Sequence, residues 1–126
     1  MIRGTTAQYK FKLPYSYNEI QAIKIKFWQP GNPSELLPLF KYKHNCIEVQ
    51  SNEICVSLRP SETALFSDKY KAKVQLLAQT YAGAPFGSKE QLISVYPNDI
   101  IMDDPDEPII PSDGQWILLD GGKIIE

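Results

Sequence analysis

The chain is poor in the residues on which many catalytic and metal sites depend. Its 126 residues include one histidine, two cysteines and two arginines. It contains no Walker loop, no GxGxxG, no GxSxG and no paired-carboxylate motif in a recognisable context. These absences favour a binding or assembly protein over an enzyme. We therefore expect no catalytic residue and no cofactor.

Metal-binding patterns are also missing. The single histidine, His44, lies close to Cys46, but two such ligands cannot complete a zinc site. The carboxylates between Asp99 and Glu107 lack the glycine and the terminal glutamate of an EF-hand loop. We expect no bound metal ion.

Long apolar runs are absent as well. No stretch approaches the roughly 18 apolar residues that a membrane-spanning helix requires. The opening residues carry one charge at Arg3 with no apolar segment behind it, so they do not resemble a secretory signal. We expect synthesis in a cytoplasm and no membrane partner.

The two cysteines can be placed on a predicted hairpin whose turn is Ser51-Asn52. In that register Cys46 faces Ser57 and Cys55 faces Glu48, so the cysteines are diagonal neighbours. Diagonal positions lie about 7–8 Å apart, which is too far for a disulfide. The sequence predicts two free thiols and fits a reducing compartment.

Alternation of apolar and polar residues dominates the first 96 residues, most clearly from Tyr70 to Leu76. It predicts strands within 9–13, 23–27, 39–43, 70–76 and 91–96 and in both arms of a hairpin spanning 47–58. Pro60 begins a short helical signal within 59–66. This order predicts an all-β fold, namely an antiparallel two-sheet immunoglobulin-like sandwich of about seven strands with one short helical turn.

Charge divides the chain after Tyr96. Residues 1–96 hold 12 Lys and Arg against 7 Asp and Glu, a net +5, whereas residues 97–126 hold 1 against 8, a net −7. Three prolines among the acidic residues predict an extended, solvated linker over 97–113 that stays out of the core. We predict a β-sandwich domain at 1–96, this linker, and a C-terminal arm at 114–126.

The arm contains two apolar segments around the turn sequence Asp120-Gly121-Gly122, which predicts a β-hairpin. An isolated hairpin is marginal in water, so its apolar side chains need a surface on which to dock. That surface can belong to the same chain or to a neighbour, and the latter predicts a homo-oligomer. The predicted protein-interface residues are Trp116, Ile117, Leu118, Leu119, Ile124 and Ile125.

Two other functions remain open from the residues alone. Nine lysines at outward strand positions, interspersed with aromatics, are typical of a nucleic-acid-binding sheet whose acidic tail covers the basic face. The scarcity of arginine disfavours this alternative. A carbohydrate-binding module is the second alternative, with Trp28, Tyr42 or Tyr81 stacking on sugar.

The N-terminal segment Met1-Ile2-Arg3-Gly4-Thr5-Thr6, followed by the strand that ends Phe11-Lys12-Leu13-Pro14, resembles a group of small prophage proteins of Gram-positive bacteria. That group commonly has an MIRGTTP-like start and an FxLP strand, and Ala7 stands here where the proline is usual. Val56 to Phe66 and Lys73 to Leu76 are similar to later segments of the same group. The resemblance covers about the first 96 residues.

This resemblance implies a non-enzymatic virion or assembly protein, in the tail or baseplate region of a phage. It implies other phage structural proteins as partners, and a location in the virion after synthesis in the host cytoplasm. It brings no catalytic or cofactor-binding residues with it.

Overall fold

Ten strands and very little helix make up the regular structure of the described residues. The computed structural model describes residues 1–107 and 109, and only the backbone of 117–120 and 123–124. The strands are β1 (Ala7–Lys12), β2 (Ile20–Trp28), β3 (Leu39–Tyr42), β4 (Cys46–Gln50), β5 (Glu53–Leu58), β6 (Ala72–Thr80), β7 (Pro85–Gly87), β8 (Gln91–Ile93), β9 (Ile117–Asp120) and β10 (Lys123–Ile124). The helical elements are α1 (Pro60–Thr63) and two 3-10 turns, at Tyr17–Glu19 and Lys43–Asn45.

The strands form two sheets. Sheet I has the order β4-β5-β1-β9, and sheet II has the order β10-β7-β6-β2-β3, with β8 also paired to β6. Pairing among strands β1 to β8 is antiparallel, while β9 runs parallel to β1. An isolated parallel bridge also joins Ile2 to Tyr96. The prediction of an all-β two-sheet sandwich is confirmed.

The strand order is that of an immunoglobulin domain. If β1 is set to strand B, then β4-β5-β1 reads D-E-B and β7-β6-β2-β3 reads G-F-C-C′. Strand A lies beside strand B in an immunoglobulin domain. In this chain β9 occupies that place.

The core lies between the two sheets, because alternate side chains of each central strand point inward. In β6 every even-numbered residue from Ala72 to Thr80 is buried, while the odd-numbered residues lie outward and are partly or largely exposed. Tyr9 of β1 packs against Phe27 of β2 across the sheets, with ring centroids 5.5 Å apart. The largest fully buried side chains are Tyr9, Phe11, Ile20, Ile25, Phe27, Ile54, Val56, Leu58, Phe66, Val74, Leu76 and Phe86.

The hairpin register differs from the prediction by one residue. An irregularity between Glu48 and Gln50 shifts the pairing of β4 with β5, so that Cys46 lies opposite Val56. Cys46 therefore points into the core with Val56, whereas Cys55 lies on the outer face of sheet I. Both thiols are free, and they lie on opposite faces of the sheet rather than diagonally on one face.

Buried polar side chains hold together the loops at the end of the sandwich where β2 finishes. The amide of Gln29 donates to the carbonyls of Ser67 and Tyr70 at 2.6 and 2.8 Å. Its oxygen accepts from the Ser67 N–H and the Asn32 amide at 2.8 and 2.7 Å. Because all four hydrogen-bonding positions of this buried amide are used, its desolvation is compensated.

Candidate functional site

The C-terminal segment adds a strand to the edge of each sheet. In sheet I, β9 pairs with β1 from Tyr9 opposite Ile117 to Lys12 opposite Asp120. In sheet II, β10 pairs antiparallel with β7. Only two residues separate β9 from β10, so the segment passes directly from one sheet to the other.

Four of the six predicted interface residues fall in these strands. Ile117, Leu118 and Leu119 lie in β9 and Ile124 lies in β10, whereas Trp116 and Ile125 lie outside the described residues. The described pairings of β9 and β10 are with β1 and β7, in different sheets, instead of forming the single hairpin that the sequence suggests. An edge strand presents a row of unpaired N–H and C=O groups, and pairing with a formed sheet is more favourable than forming an isolated hairpin.

The described part of the acidic linker, 97–107 and 109, lies outside the core, and its first residues are hydrogen-bonded to the sandwich. The Met102 N–H donates to the Gly4 carbonyl at 2.8 Å, and the Asn98 amide donates to the Arg3 carbonyl at 3.0 Å. The side chains of Ile100 to Met102 remain exposed. Hydrogen bonds of this kind fix the path of a segment without burying it.

A second anchor lies at α1, and we call it the Asp104 latch. The Asp104 carboxylate accepts hydrogen bonds from the Ser61 N–H at 2.8 Å and the Ser61 hydroxyl at 2.5 Å. The Arg59 guanidinium donates to the Pro105 carbonyl at 2.7 Å. The side-chain and backbone hydrogen bonds from Ser61 lower the pKa of Asp104, with a smaller contribution from Arg59. The latch therefore favours the ionised carboxylate.

Beyond the latch the linker reaches the outer face of sheet I. Ile109 lines a cleft of about 230 Å³ together with Ile47, Cys55 and Arg59. Because these lining residues belong to β4, β5 and the segment that leads into α1, Ile109 lies against the outer face of sheet I.

Cys46 and His44, the two possible metal ligands that are close in sequence, have other surroundings in the structure. Burial raises the pKa of the Cys46 thiol to about 12, with the nearby Cys55 adding to the shift. His44 stacks on Tyr42 with ring centroids 5.9 Å apart. Among residues 1–107 and 109, no three His, Cys, Asp or Glu side chains cluster as metal ligands.

The lysines are divided among separate surfaces. Lys10 pairs with Glu53 at 2.9 Å on sheet I, and Lys41 pairs with Glu62 at 2.8 Å beside α1. On sheet II, Lys24 and Lys26 lie over the rings of Phe40 and Trp28. These four lysines are therefore engaged by neighbouring side chains on different surfaces, which disfavours the nucleic-acid alternative.

One grouping was not predicted from the sequence. Tyr15, Asn18 and Glu19, which follow β1, lie beside Tyr81, which follows β6, around a cleft of about 380 Å³. Only Tyr81 was a candidate from the sequence. The run Tyr15-Ser16-Tyr17-Asn18 has the composition typical of recognition loops, and that signal could have drawn attention to it.

Comparison with protein-family models and with curated proteins gives no match. Within the part of the chain that the structure describes, no helix has the length and apolar character needed to cross a membrane.

Proposed function

We propose that this chain is a non-enzymatic structural or assembly protein of a phage particle, in the tail or baseplate region, and that its C-terminal segment joins neighbouring subunits. The observation that carries the proposal is the pairing of β9 with the edge of β1, in the place of strand A. The phage context is supported by the N-terminal resemblance described above.

Strand addition is a common route to assembly. An extended segment that completes a sheet gains main-chain hydrogen bonds at an edge that would otherwise be unpaired. Because the segment follows an extended linker, the same pairing can be made with the β1 edge of a second copy. Exchange of an identical element between copies forms the same contacts in the oligomer as in the monomer.

A cysteine pair tests which copy supplies the strand. Lys12 and Asp120 are partners in the β1–β9 register, and neighbouring strands lie about 4.8 Å apart, which is within reach of a disulfide. We expect Lys12→Cys combined with Asp120→Cys to give disulfide-linked oligomers under non-reducing conditions. A purely intrachain disulfide, in a protein whose mass by light scattering is that of a monomer, would contradict exchange between copies.

Two controls complete the test. The single variants Lys12→Cys and Asp120→Cys report random intermolecular oxidation, and neither should form species larger than a dimer. In the otherwise unchanged full chain, Leu118→Pro and Leu119→Pro each remove one backbone donor. Since alternate N–H groups of a strand point to opposite sides, one of the two substitutions removes an N–H group that faces β1. That variant should reduce the oligomer, and an unchanged mass for both variants would contradict a role for β9.

A further inference from the structure

Three loops meet at the end of the sandwich where β1 finishes. They connect β1 to β2, β3 to β4, and β6 to β7, and they are tied together by polar contacts. The Tyr81 N–H donates to the Glu19 carbonyl at 2.9 Å. The Lys43 ammonium donates to the Ile20 carbonyl at 2.5 Å and lies over the rings of Tyr17 and Tyr81 at 4.8 and 5.6 Å. The loops therefore form one surface with fixed aromatic positions.

The cleft of about 380 Å³ in this surface is preformed. Tyr15 packs on the buried Phe86 with ring centroids 5.3 Å apart. The turn after β6 is closed by Thr80, whose N–H donates to the Ala84 carbonyl and whose hydroxyl accepts from the Ala84 N–H, both at 3.0 Å. A preformed cleft avoids the entropy cost of ordering its walls on binding.

The cleft combines aromatic rings with uncommitted polar groups. The Tyr81 side chain is 66% exposed. The Asn18 amide makes no hydrogen bond to any described residue, and the Glu19 carboxylate uses one oxygen, at 3.3 Å, for the Ser16 N–H. Aromatic faces pack on the C–H face of a pyranose, and amide and carboxylate groups bind its hydroxyls.

The charge of the cleft limits the class of ligand, and the position of the aromatic candidates identifies the stacking residue. Glu19 is the charged residue among those that line the cleft, and Lys43 lies over the neighbouring Tyr17 and Tyr81 rings. The cleft therefore has no excess positive charge to attract a polyanion. Each of the three aromatic candidates for sugar stacking has one ring contact, and for Tyr81 it is the Lys43 ammonium at 5.6 Å. Lys26 lies over Trp28 at 4.4 Å, and Tyr42 is stacked on His44. Tyr81 is the candidate whose exposed ring lines a cleft.

We propose that this end of the sandwich is a binding site for neutral oligosaccharides. Tyr81 and Tyr15 pack against the sugar rings, and Asn18 and Glu19 bind the hydroxyl groups. This proposal does not depend on the assembly function.

The test is a titration of the isotope-labelled full chain with maltohexaose, cellohexaose and chitohexaose, followed by backbone amide shifts. We expect saturable shifts confined to residues 15–19 and 80–84 with at least one of the three sugars. Tyr81→Ala should weaken binding by about tenfold or more, while Tyr81→Phe should retain most of it. Tyr96→Ala removes an aromatic side chain that is similarly exposed, at 58%, from the opposite end of the sandwich and should change nothing.

Several outcomes would overturn the proposal. These are the absence of shifts with all three sugars, shifts that do not cluster at the cleft, and full binding by a folded Tyr81→Ala variant. A peptide of residues 103–112, whose prolines are spaced for an aromatic groove, serves as a competing probe, and so does oligo(dT). Saturable shifts at the cleft from either probe, without shifts from the sugars, would also reject an oligosaccharide site.

Discussion

Asp104 accepts two hydrogen bonds from Ser61, one from the backbone N–H at 2.8 Å and one from the hydroxyl at 2.5 Å. Asp104 belongs to the acidic linker and Ser61 to the first turn of α1. This contact joins the two oppositely charged parts of the chain through one named carboxylate.

We expect Asp104→Ala to release the linker from α1. Protection of the Ser61 amide from hydrogen exchange should fall, and proteolysis between residues 98 and 107 should accelerate. Asp106→Ala is the matched control, because Asp106 is also an exposed linker carboxylate but makes no hydrogen bond to the described residues. Equal effects of the two substitutions would show that net linker charge, and not the latch, holds the segment.

The latch should also depend on pH. Its hydrogen bonds lower the pKa of Asp104 in the folded protein, so its contribution is present above the ordinary aspartate pKa of about 3.9 and is lost as the pH falls through the lowered value. Ser61 amide protection should therefore persist at neutral pH and decline only in acid. Constant protection through the carboxyl titration, followed by NMR, would contradict this.

Gly4 is required by the docked linker. It has φ +79°, and a Cβ at this position would lie 2.7 Å from the Ile100 carbonyl oxygen. Gly83 has φ +89° but no atom within 4 Å of such a Cβ. We expect Gly83→Ala to lower the free energy of unfolding by about 1 kcal/mol through backbone strain alone. Gly4→Ala should cost more because it adds a steric clash, and chemical denaturation measures both. Equal losses would mean that the linker moves away freely.

The sequence predicted the body of the fold well because half-buried strands have a strong two-residue period. It predicted a strand at 70–76, whereas β6 runs from Ala72 to Thr80, and Tyr70 lies outside the strand and is exposed. It missed β7, because Pro85-Phe86-Gly87 is too short to show alternation and begins with a residue typical of turns. It also missed the irregularity in β4, which inserts a residue without any composition signal.

The candidate sites were predicted less completely, since they depend on contacts between distant residues. Hydropathy correctly identified 117–119 and 124 as strand-forming, but it could not show that two edges of the same sandwich were available to them. The linker composition predicted solvation. It could not predict which of the six linker carboxylates Ser61 would bind.

Thiol labelling tests the new placement of the cysteines. Burial raises the pKa of Cys46 to about 12, and burial also raises the pKa of Cys55. Because the thiolate is the reactive form, iodoacetamide at pH 8 should modify the native protein far more slowly than the urea-unfolded protein. Mass spectrometry distinguishes the two sites. Rapid labelling of native Cys46 would contradict its position in the core, while equal rates in urea provide the internal control.

Tyr9 offers a test of core energetics. Its ring is buried against Phe27, but its hydroxyl has no hydrogen-bond partner among the described residues. A buried, unpaired polar group costs about 1–3 kcal/mol, so Tyr9→Phe should raise the free energy of unfolding by about 1 kcal/mol.

Burial also raises the pKa of the Tyr9 phenol. The contribution of the neutral Tyr9 phenol to stability is therefore fully present below the ordinary tyrosine pKa of about 10. Above that pH the contribution should fall, as the pH rises toward the raised value. That alkaline loss should be smaller in Tyr9→Phe. Urea denaturation at pH 7 and pH 11 measures both effects, and a less stable Tyr9→Phe variant at pH 7 would show that the hydroxyl is satisfied.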